Sequence, residues 1–360
     1  MSKMIAIRLT RLVVTVIVVS FVTFVGVNVL PGDPVNALIP IDAQQDREFV
    51  EQIREEWGLN DPMIVRYGRW LGDAVQGDLG RSLVTGQPVT DEITHRLPIT
   101  LELMAVAVGF SLLIAVPLGA FTGYREGRRS DRLVSGFAQA GLSLPVFVTG
   151  LILIYVFALK LQWFPAVGWN RLSNGLGPNL KSVALPALSL AVTEIAVYTR
   201  VLRSDMIATL KENYILSARA KGLTDRFILF RHGLRPSLLT LVTVVGLNIG
   251  FLIGGSLVIE YLFAIPGLGK RLFSAIQQRD FMMVQAITVL ITVFYVIVNT
   301  ATDLVYMVAF LYVALRWDGV KRNVAVGLFA FRIIGMVCLL YTSDAADDTP
   351  CVDLGGRRII

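Results

Sequence analysis

The sequence predicts an all-α membrane protein with six transmembrane helices. Its composition, the length of its apolar runs and the placing of its bases carry that expectation. The 360-residue chain is 54% hydrophobic and 17% charged, whereas a soluble domain carries about 25% charged residues. Mean hydropathy is +0.65. The apolar residues gather into runs of about 20, the length a helix needs to cross the hydrocarbon core, and basic segments separate the runs. The net charge of +6 therefore does not point to nucleic acid. The bases lie where a membrane protein carries its cytoplasmic loops.

Taken in order, the first run follows Lys3, Arg8 and Arg11 and covers about residues 10–30. It is longer than a signal-peptide core, and no small-residue cleavage site follows, so it reads as a first span with a cytoplasmic N-terminus. The segment to residue 98 holds more acids than bases, among them Asp46, Glu48, Glu51, Glu55 and Glu56, and about 46–57 reads as a short helix ending at Gly58. A solvated external loop and a contact surface for an external partner both suit this composition. The remaining spans fall at about 99–122, 133–158, 183–202, 237–263 and 284–310, the fourth being interrupted by Glu194 and ended by Arg200. Pro117, Pro145 and Pro186 lie in or beside apolar runs and should kink them. Gly246, Gly250 and Gly254 recur on one face of the fifth span, a spacing that lets helices pack closely in lipid.

Charge sets the orientation. Arg125, Arg128, Arg129 and Arg132 fill the second loop; Arg200, Arg203, Lys211, Arg219, Lys221, Arg226, Arg231 and Arg235 fill the fourth. With the N-terminal bases they fall on one side of a six-span chain, which is then the cytoplasmic side.

The segment 203–235 is the polar insertion that needs a reason. Met206, Ile207, Leu210, Tyr214 and Ala218 follow helical spacing. Gly222 suits a C-cap, with Lys221 at the negative end of the helix. A second helix from about Asp225 runs through His232 and Arg235 into the fifth span. The expected product is two short helices joined at a glycine. Spacing alone favours an interfacial hairpin on anionic lipid over a knob seated in a partner subunit.

Ionisable residues within spans are functional candidates. Glu102 and Glu260 are expected near external ends and in structural roles. Asp303 is expected near the cytoplasmic end, paired with a loop base. Glu194 is a candidate for pore lining, with helix–helix hydrogen bonding as the alternative. No catalytic, cofactor or metal constellation is legible. Gly267-Leu268-Gly269-Lys270 lacks phosphate-loop spacing, and His95 and His232 fall on opposite sides of the membrane. The two cysteines, Cys338 and Cys351, both lie in the tail.

Several motifs carry a family resemblance. Tyr214–Thr240 reads YILSARAKGLTDRFILFRHGLRPSLLT. Ala218, Gly222 and Leu234 fall on the spacing of a coupling-loop motif, with Leu216, Ser217 and Arg235 departing from it. Around it stand Leu30-Pro31-Gly32-Asp33-Pro34, Gly58-Leu59-Asn60-Asp61-Pro62, Gly77-Asp78-Leu79-Gly80-Arg81-Ser82 and Arg96-Leu97-Pro98. Leu185-Pro186-Ala187-Leu188, Ile265-Pro266-Gly267-Leu268-Gly269 and Arg279-Asp280-Phe281 follow in order. Over about residues 8–306 the chain resembles ABC transporter permeases of the dipeptide/oligopeptide (peptide/nickel) importer family. The resemblance implies a type I ABC importer permease fold with a MetI-like core, and no catalysis by the chain itself. It implies a permease subunit that imports peptides or related small solutes by alternating access. The coupling loop would comprise Tyr214, Ala218, Ala220, Lys221, Gly222, Leu223, His232, Leu234 and Arg235. Implied partners are a second homologous permease subunit, two ABC ATPase subunits and an extracytoplasmic solute-binding protein. The setting would be a bacterial or archaeal inner membrane. Pro236 and Thr240 stand where the branch commonly has Asn and Pro, so how the chain enters the fifth span is open.

Three regions are expected: 1–98, a transmembrane helix plus external loop; 99–310, the permease core; and 311–360, a tail outside the functional part, of which 338–360 reads as a translated sequencing adapter. Two rivals remain from the residues. An ion-driven secondary transporter should show internal repeats and midplane ionisable residues, and only Glu194 answers to that. A non-transporting membrane scaffold would use the basic loop as a dock.

Overall fold

Long helices follow from the apolar runs, because every backbone polar group in lipid must be satisfied within the segment. The computed structural model describes residues 2–29, 47–56 and 60–315. The motif at 30–34, Asp46, Trp57, Gly58, Leu59, the side chain of Asp303 and the tail with both cysteines lie outside the described residues. Residues Met1–Asp303 form one compact unit; Leu304–Ile360 form a second, whose described part is helix.

The helices are α1 (Ser2–Val29), α2 (Arg47–Glu56), α3 (Met63–Val75), α4 (Val89–Tyr124), α5 (Arg129–Ser143), α6 (Val146–Lys160), α7 (Leu176–Leu210), α8 (Asn213–Ala220), α9 (Asp225–Leu262), α10 (Leu268–Gln277) and α11 (Phe281–Leu315). Each expected span falls on helix. By length and composition α4, α7, α9 and α11 can each cross a membrane. The third expected span is the pair α5–α6, bent by 105°. Pro145 explains the bend: it forces Leu144 out of helical geometry, to φ −93° and ψ 122°. In α1 the shorter apolar stretch Leu12–Gly26 is described. The short helix expected at about 46–57 is α2.

The most extensive helix pair is α4 against α7. Ala107, Ser111, Ala115, Gly119 and Gly123 recur every fourth residue of α4, and all are buried. A Cβ on Gly119 would stand 2.9 Å from Leu202 Cβ, and one on Gly123 would stand 2.7 Å from Met206 Cβ. Such close approach is how helices associate in lipid, where apolar burial supplies no drive. α7 also packs against α5, α6 and α9, which makes it the most enclosed span. This explains its low hydropathy, 1.6 against 2.1–2.4 for the other three. Its surroundings are protein, so it need not be lipid-like all round.

Two polar clamps close the end of the bundle formed by 78–100 and α10. Glu260 is fully buried. It accepts from Thr100 Oγ1 (2.6 Å), Gly269 N (2.6 Å) and Lys270 N (3.2 Å), and so caps the N-terminus of α10. Gly267 and Gly269 are required there, since a Cβ on either would meet the Glu260 carboxylate. Beside it Arg271, 6% exposed, donates Nε to Glu92 (2.6 Å) and Nη2 to Asp280 (2.8 Å). Asp280 also accepts from Ser82 Oγ at 2.5 Å and Leu83 N at 3.2 Å. The network ties the 82–92 segment to α10 and α11.

Removing one member of such a network strands the other charge, at a cost of about 3–5 kcal/mol. Arg271→Met should therefore lower the thermal unfolding midpoint of the detergent-solubilised protein strongly. The double variant Arg271→Met/Asp280→Asn should recover part of the loss.

Candidate functional site

The segment 203–235 folds as a helical hairpin, but not with the phase that spacing suggests. The helix expected to run from about 203 to Gly222 breaks at Lys211 and Glu212, whose N–H groups bond three residues back, to Ala208 and Thr209. The break shifts the buried face by one position. Met206 stays buried, Tyr214 turns outward at 45% exposure, and Ile215 takes the inward place at 0%. Ile215, Ala218 and Ile228 form a small core under the hairpin, with Leu210 packed against it.

Gly222 ends α8 as expected. Its φ is +77°, a left-handed conformation that costs other residues about 1–2 kcal/mol. Gly222 N bonds Arg219 O (2.9 Å) and Leu223 N bonds Ala218 O (3.3 Å), so two of the last carbonyls of α8 are satisfied. Thr224 then starts α9, its Oγ1 accepting from Phe227 N at 3.4 Å.

The way α9 leaves the hairpin depends on Pro236. An α-helix would pair His232 O with the N–H of residue 236, and proline has none. The backbone widens into a π-helical turn over Ile228–Leu234, a common local device at functional sites. Tyr214 Oη donates to His232 O at 3.1 Å, supplying the missing donor from α8. Burial, with Glu212 and Asp205 adding to it, raises the Tyr214 pKa above its usual value, so the hydroxyl keeps its proton. The His232 ring stands edge-on to Phe227, centroids 5.6 Å apart, and Arg231 lies over Phe227. Gly233 touches α7: a Cβ there would stand 3.2 Å from Leu210 Cδ2 and 3.3 Å from Met206 Cε.

The bases of this region divide in two. Arg203 forms a paired contact with buried Asp131 (2.5 and 2.8 Å), Lys211 pairs with Glu126, and Arg200 bonds Gln139. These join α7 to α5 and the loop before it. Arg219, Lys221, Arg226, Arg231 and Arg235 are exposed on the hairpin itself, Arg219 lying 3.9 Å from Asp225. Interleaved with them are exposed apolar side chains: Leu216, Leu223, Phe227 and Phe230, the last at 62%. The outer face of the hairpin is thus basic and apolar together.

Of the residues singled out from sequence, Ala218 lies in the hairpin core, Tyr214 and His232 form the brace and Gly222 forms the turn. Ala220, Lys221, Leu223 and Arg235 lie on the exposed face, and Leu234 is half-buried toward α7. Ile215, Ile228, Phe230 and Gly233 were not singled out. Gly233 had a signal, a glycine within a helical run; the phase of Ile215 depended on a break that spacing does not show. In the spans, Gly246 and Gly250 sit where a Cβ would meet Thr302 and Tyr295 of α11, while Gly254 faces open space. Glu194, 6% exposed, accepts from Asn248 Nδ2 at 3.1 Å across the α7–α9 seam. Glu102 accepts from Asn179 Nδ2 at 2.6 Å.

Residues 115–309 match the family model described as binding-protein-dependent transport system inner membrane component. Residues 1–104 match the corresponding N-terminal model. The chain is 40% identical over 294 residues to the oligopeptide transport system permease protein AppB of Bacillus subtilis (strain 168), covering 81% of this chain and 92% of that one. It is 34% identical over 299 residues to the glutathione transport system permease protein GsiC of Escherichia coli (strain K12), covering 83% and 94%. Among solved structures, the inward-facing MetNI methionine ABC transporter superposes with a TM-score of 0.51 at 19% identity, over 60% of this chain and 95% of that one, a likeness of fold.

The brace and the turn can be tested separately. Tyr214→Phe should cost about 1 kcal/mol, read as faster amide exchange over 228–237. Gly222→Val should cost about 1–2 kcal/mol and speed exchange over 213–223, with Gly222→Asn much milder.

Proposed function

The chain belongs to the family of binding-protein-dependent transport system inner membrane components, and on that premise we propose that its 213–235 hairpin is the surface through which a partner ATPase drives it. The chain is a permease subunit of an ATP-driven importer, with the type I importer permease fold. It forms the translocation pathway for peptides or related small solutes by alternating access. Family membership makes it a transport subunit and one part of an ABC importer.

The finer assembly is our reading. A second, homologous permease subunit completes the pathway, two ATPase subunits supply the hydrolysis, and an extracytoplasmic solute-binding protein delivers cargo. The N-terminus and the hairpin lie in the cytoplasm, where the charge distribution puts them. The relatives named for oligopeptide and glutathione transport support a peptide-like cargo.

The observation that carries the coupling role is the construction of the hairpin. It has its own core, presents an apolar and basic face, and continues without interruption into α9, a helix of 38 residues. Beyond the π-helical turn its α-helical part, Arg235–Leu262, has 28 residues and at about 1.5 Å per residue runs about 42 Å. Gly233 presses on Met206 and Leu210, so a push on the hairpin reaches α7 as well. ATP binding closes the ATPase dimer and draws the two hairpins together; the bundle turns from inward- to outward-facing, and hydrolysis resets it. The α7–α9 seam with Glu194 and Asn248 shears in that motion, which is how Glu194 comes to line the pathway.

Ala218→Asp and Gly222→Trp should abolish ATP-dependent uptake into proteoliposomes while membrane insertion and substrate delivery persist. Phe230→Asp, at an exposed position that folding does not need, should do the same. Normal uptake by these variants would sink the coupling role.

A further inference from the structure

At the other end of α1 from its N-terminus, α1 and α3 with Asp78, Gly80 and Met282 enclose a pocket of about 140 Å³ that holds several charged side chains. Among the described residues, two of its groups lack partners of the kind their chemistry calls for. Trp70, 6% exposed, has its Nε1–H without an acceptor. Arg66 is half-buried with its guanidinium 5.7 Å from the Phe24 ring centroid and makes no ion pair. Neighbouring Arg69 is taken by Asp61 at 2.9 Å. Half-burial strips hydration from Arg66 and lowers its pKa, against an opposing pull from Asp61. Two carboxylates, Asp73 and Asp78, line the same pocket; Asp78 already accepts Gly80 N at 2.9 Å. The pocket therefore offers a guanidinium donor for an anion and carboxylates for a cation.

Beside it runs an apolar groove of about 420 Å³ lined by Ile17, Val18, Phe21, Val22, Ile64 and Tyr67. The groove and the pocket share a wall. Tyr67 lines the groove and stacks on Trp70, which lines the pocket, at 6.4 Å. The Tyr67 hydroxyl is turned inward to Ser20 Oγ (2.8 Å) and Ile17 O (3.2 Å). Along α1, Phe24 at the pocket stands about 9 Å beyond Val18 in the groove. With the N-terminus cytoplasmic, the pocket lies toward the external interface and the groove descends into the hydrocarbon.

We propose that this pocket and groove hold one phospholipid with an ammonium-bearing headgroup of the phosphatidylethanolamine class. Its phosphate accepts from Arg66, its ammonium donates to Asp73, and an acyl chain lies in the groove. A free phosphate would use the donors but leave the carboxylate facing it and the groove unfilled. An anionic headgroup without an amine would meet Asp73 and Asp78 as like charges. Tryptophan and arginine at this depth suit the interface. The site rests on the membrane orientation stated above but not on the hairpin's role.

Native mass spectrometry of the purified importer, equilibrated in turn with dioleoyl phosphatidylethanolamine, phosphatidylglycerol and phosphatidylcholine, tests it. The wild type should retain phosphatidylethanolamine through detergent exchange in preference to the other two. Arg66→Gln should cut that retention about tenfold, as expected for a charge-assisted hydrogen bond, and Arg66→Lys should restore most of it. Asp73→Asn should erase the preference for phosphatidylethanolamine over phosphatidylcholine. Phe230→Asp should retain lipid as the wild type does, so loss of coupling and loss of lipid stay distinguishable. Equal retention of the three lipids, undiminished retention by Arg66→Gln, or displacement of the lipid by millimolar inorganic phosphate would each overturn the proposal.

Discussion

The close approach of α4 to α7 is the contact on which the rest of the molecule depends. In lipid, helices gain little by hiding apolar surface, so van der Waals contact at short range must hold them. Ala107, Ser111, Ala115, Gly119 and Gly123 provide that range on α4, and Leu202 and Met206 fill it from α7. Once α7 is pinned there, α5, α6 and α9 close around it. A helix surrounded by protein can carry a carboxylate such as Glu194, which finds Asn248 rather than hydrocarbon. Met206 belongs to the same seam and also touches Gly233. The packing that builds the core therefore sets where the hairpin stands.

At the hairpin the structure answers a local backbone problem with a tertiary contact. Pro236 removes a donor, the helix widens, and Tyr214 supplies a hydroxyl from the preceding helix. The bond that heals α9 is thus also the bond that fixes α8 against it. Each contribution is about 1 kcal/mol, but together they make the hairpin and the long helix α9 one rigid piece.

The clamps around Glu260 and Arg271 act differently. They hold charge in a largely buried setting where Glu260 and Asp280 each accept several hydrogen bonds, which stabilises one arrangement of 78–100, α10 and α11 rather than a range of them. The short sequence motifs there acquire a physical meaning. Gly267 and Gly269 make room for a carboxylate, and Asp280 anchors Arg271 close by in the chain and Ser82 from nearly two hundred residues away.

The sequence by itself determined the class of the protein, the position of its spans, the glycine turn at Gly222 and the helical passage from Asp225 into the fifth span. Those features are local: run length, charge and the left-handed conformation of one glycine are properties of a few consecutive residues. The small-residue stripe on α4 was also present in the sequence, at the same four-residue period as Gly246, Gly250 and Gly254, but which stripe makes the tightest contact depends on the partner helix. Only the tertiary structure decided the break at Lys211 that turns Ile215 inward and Tyr214 outward, how sharply the chain bends at Pro145, and the enclosure of the least apolar span at the centre of the bundle. It also decided the partners of Glu194, Glu260 and Arg271. A charge in a span announces that it needs a partner, but the partner lies on another helix, and its identity follows from how the helices cross.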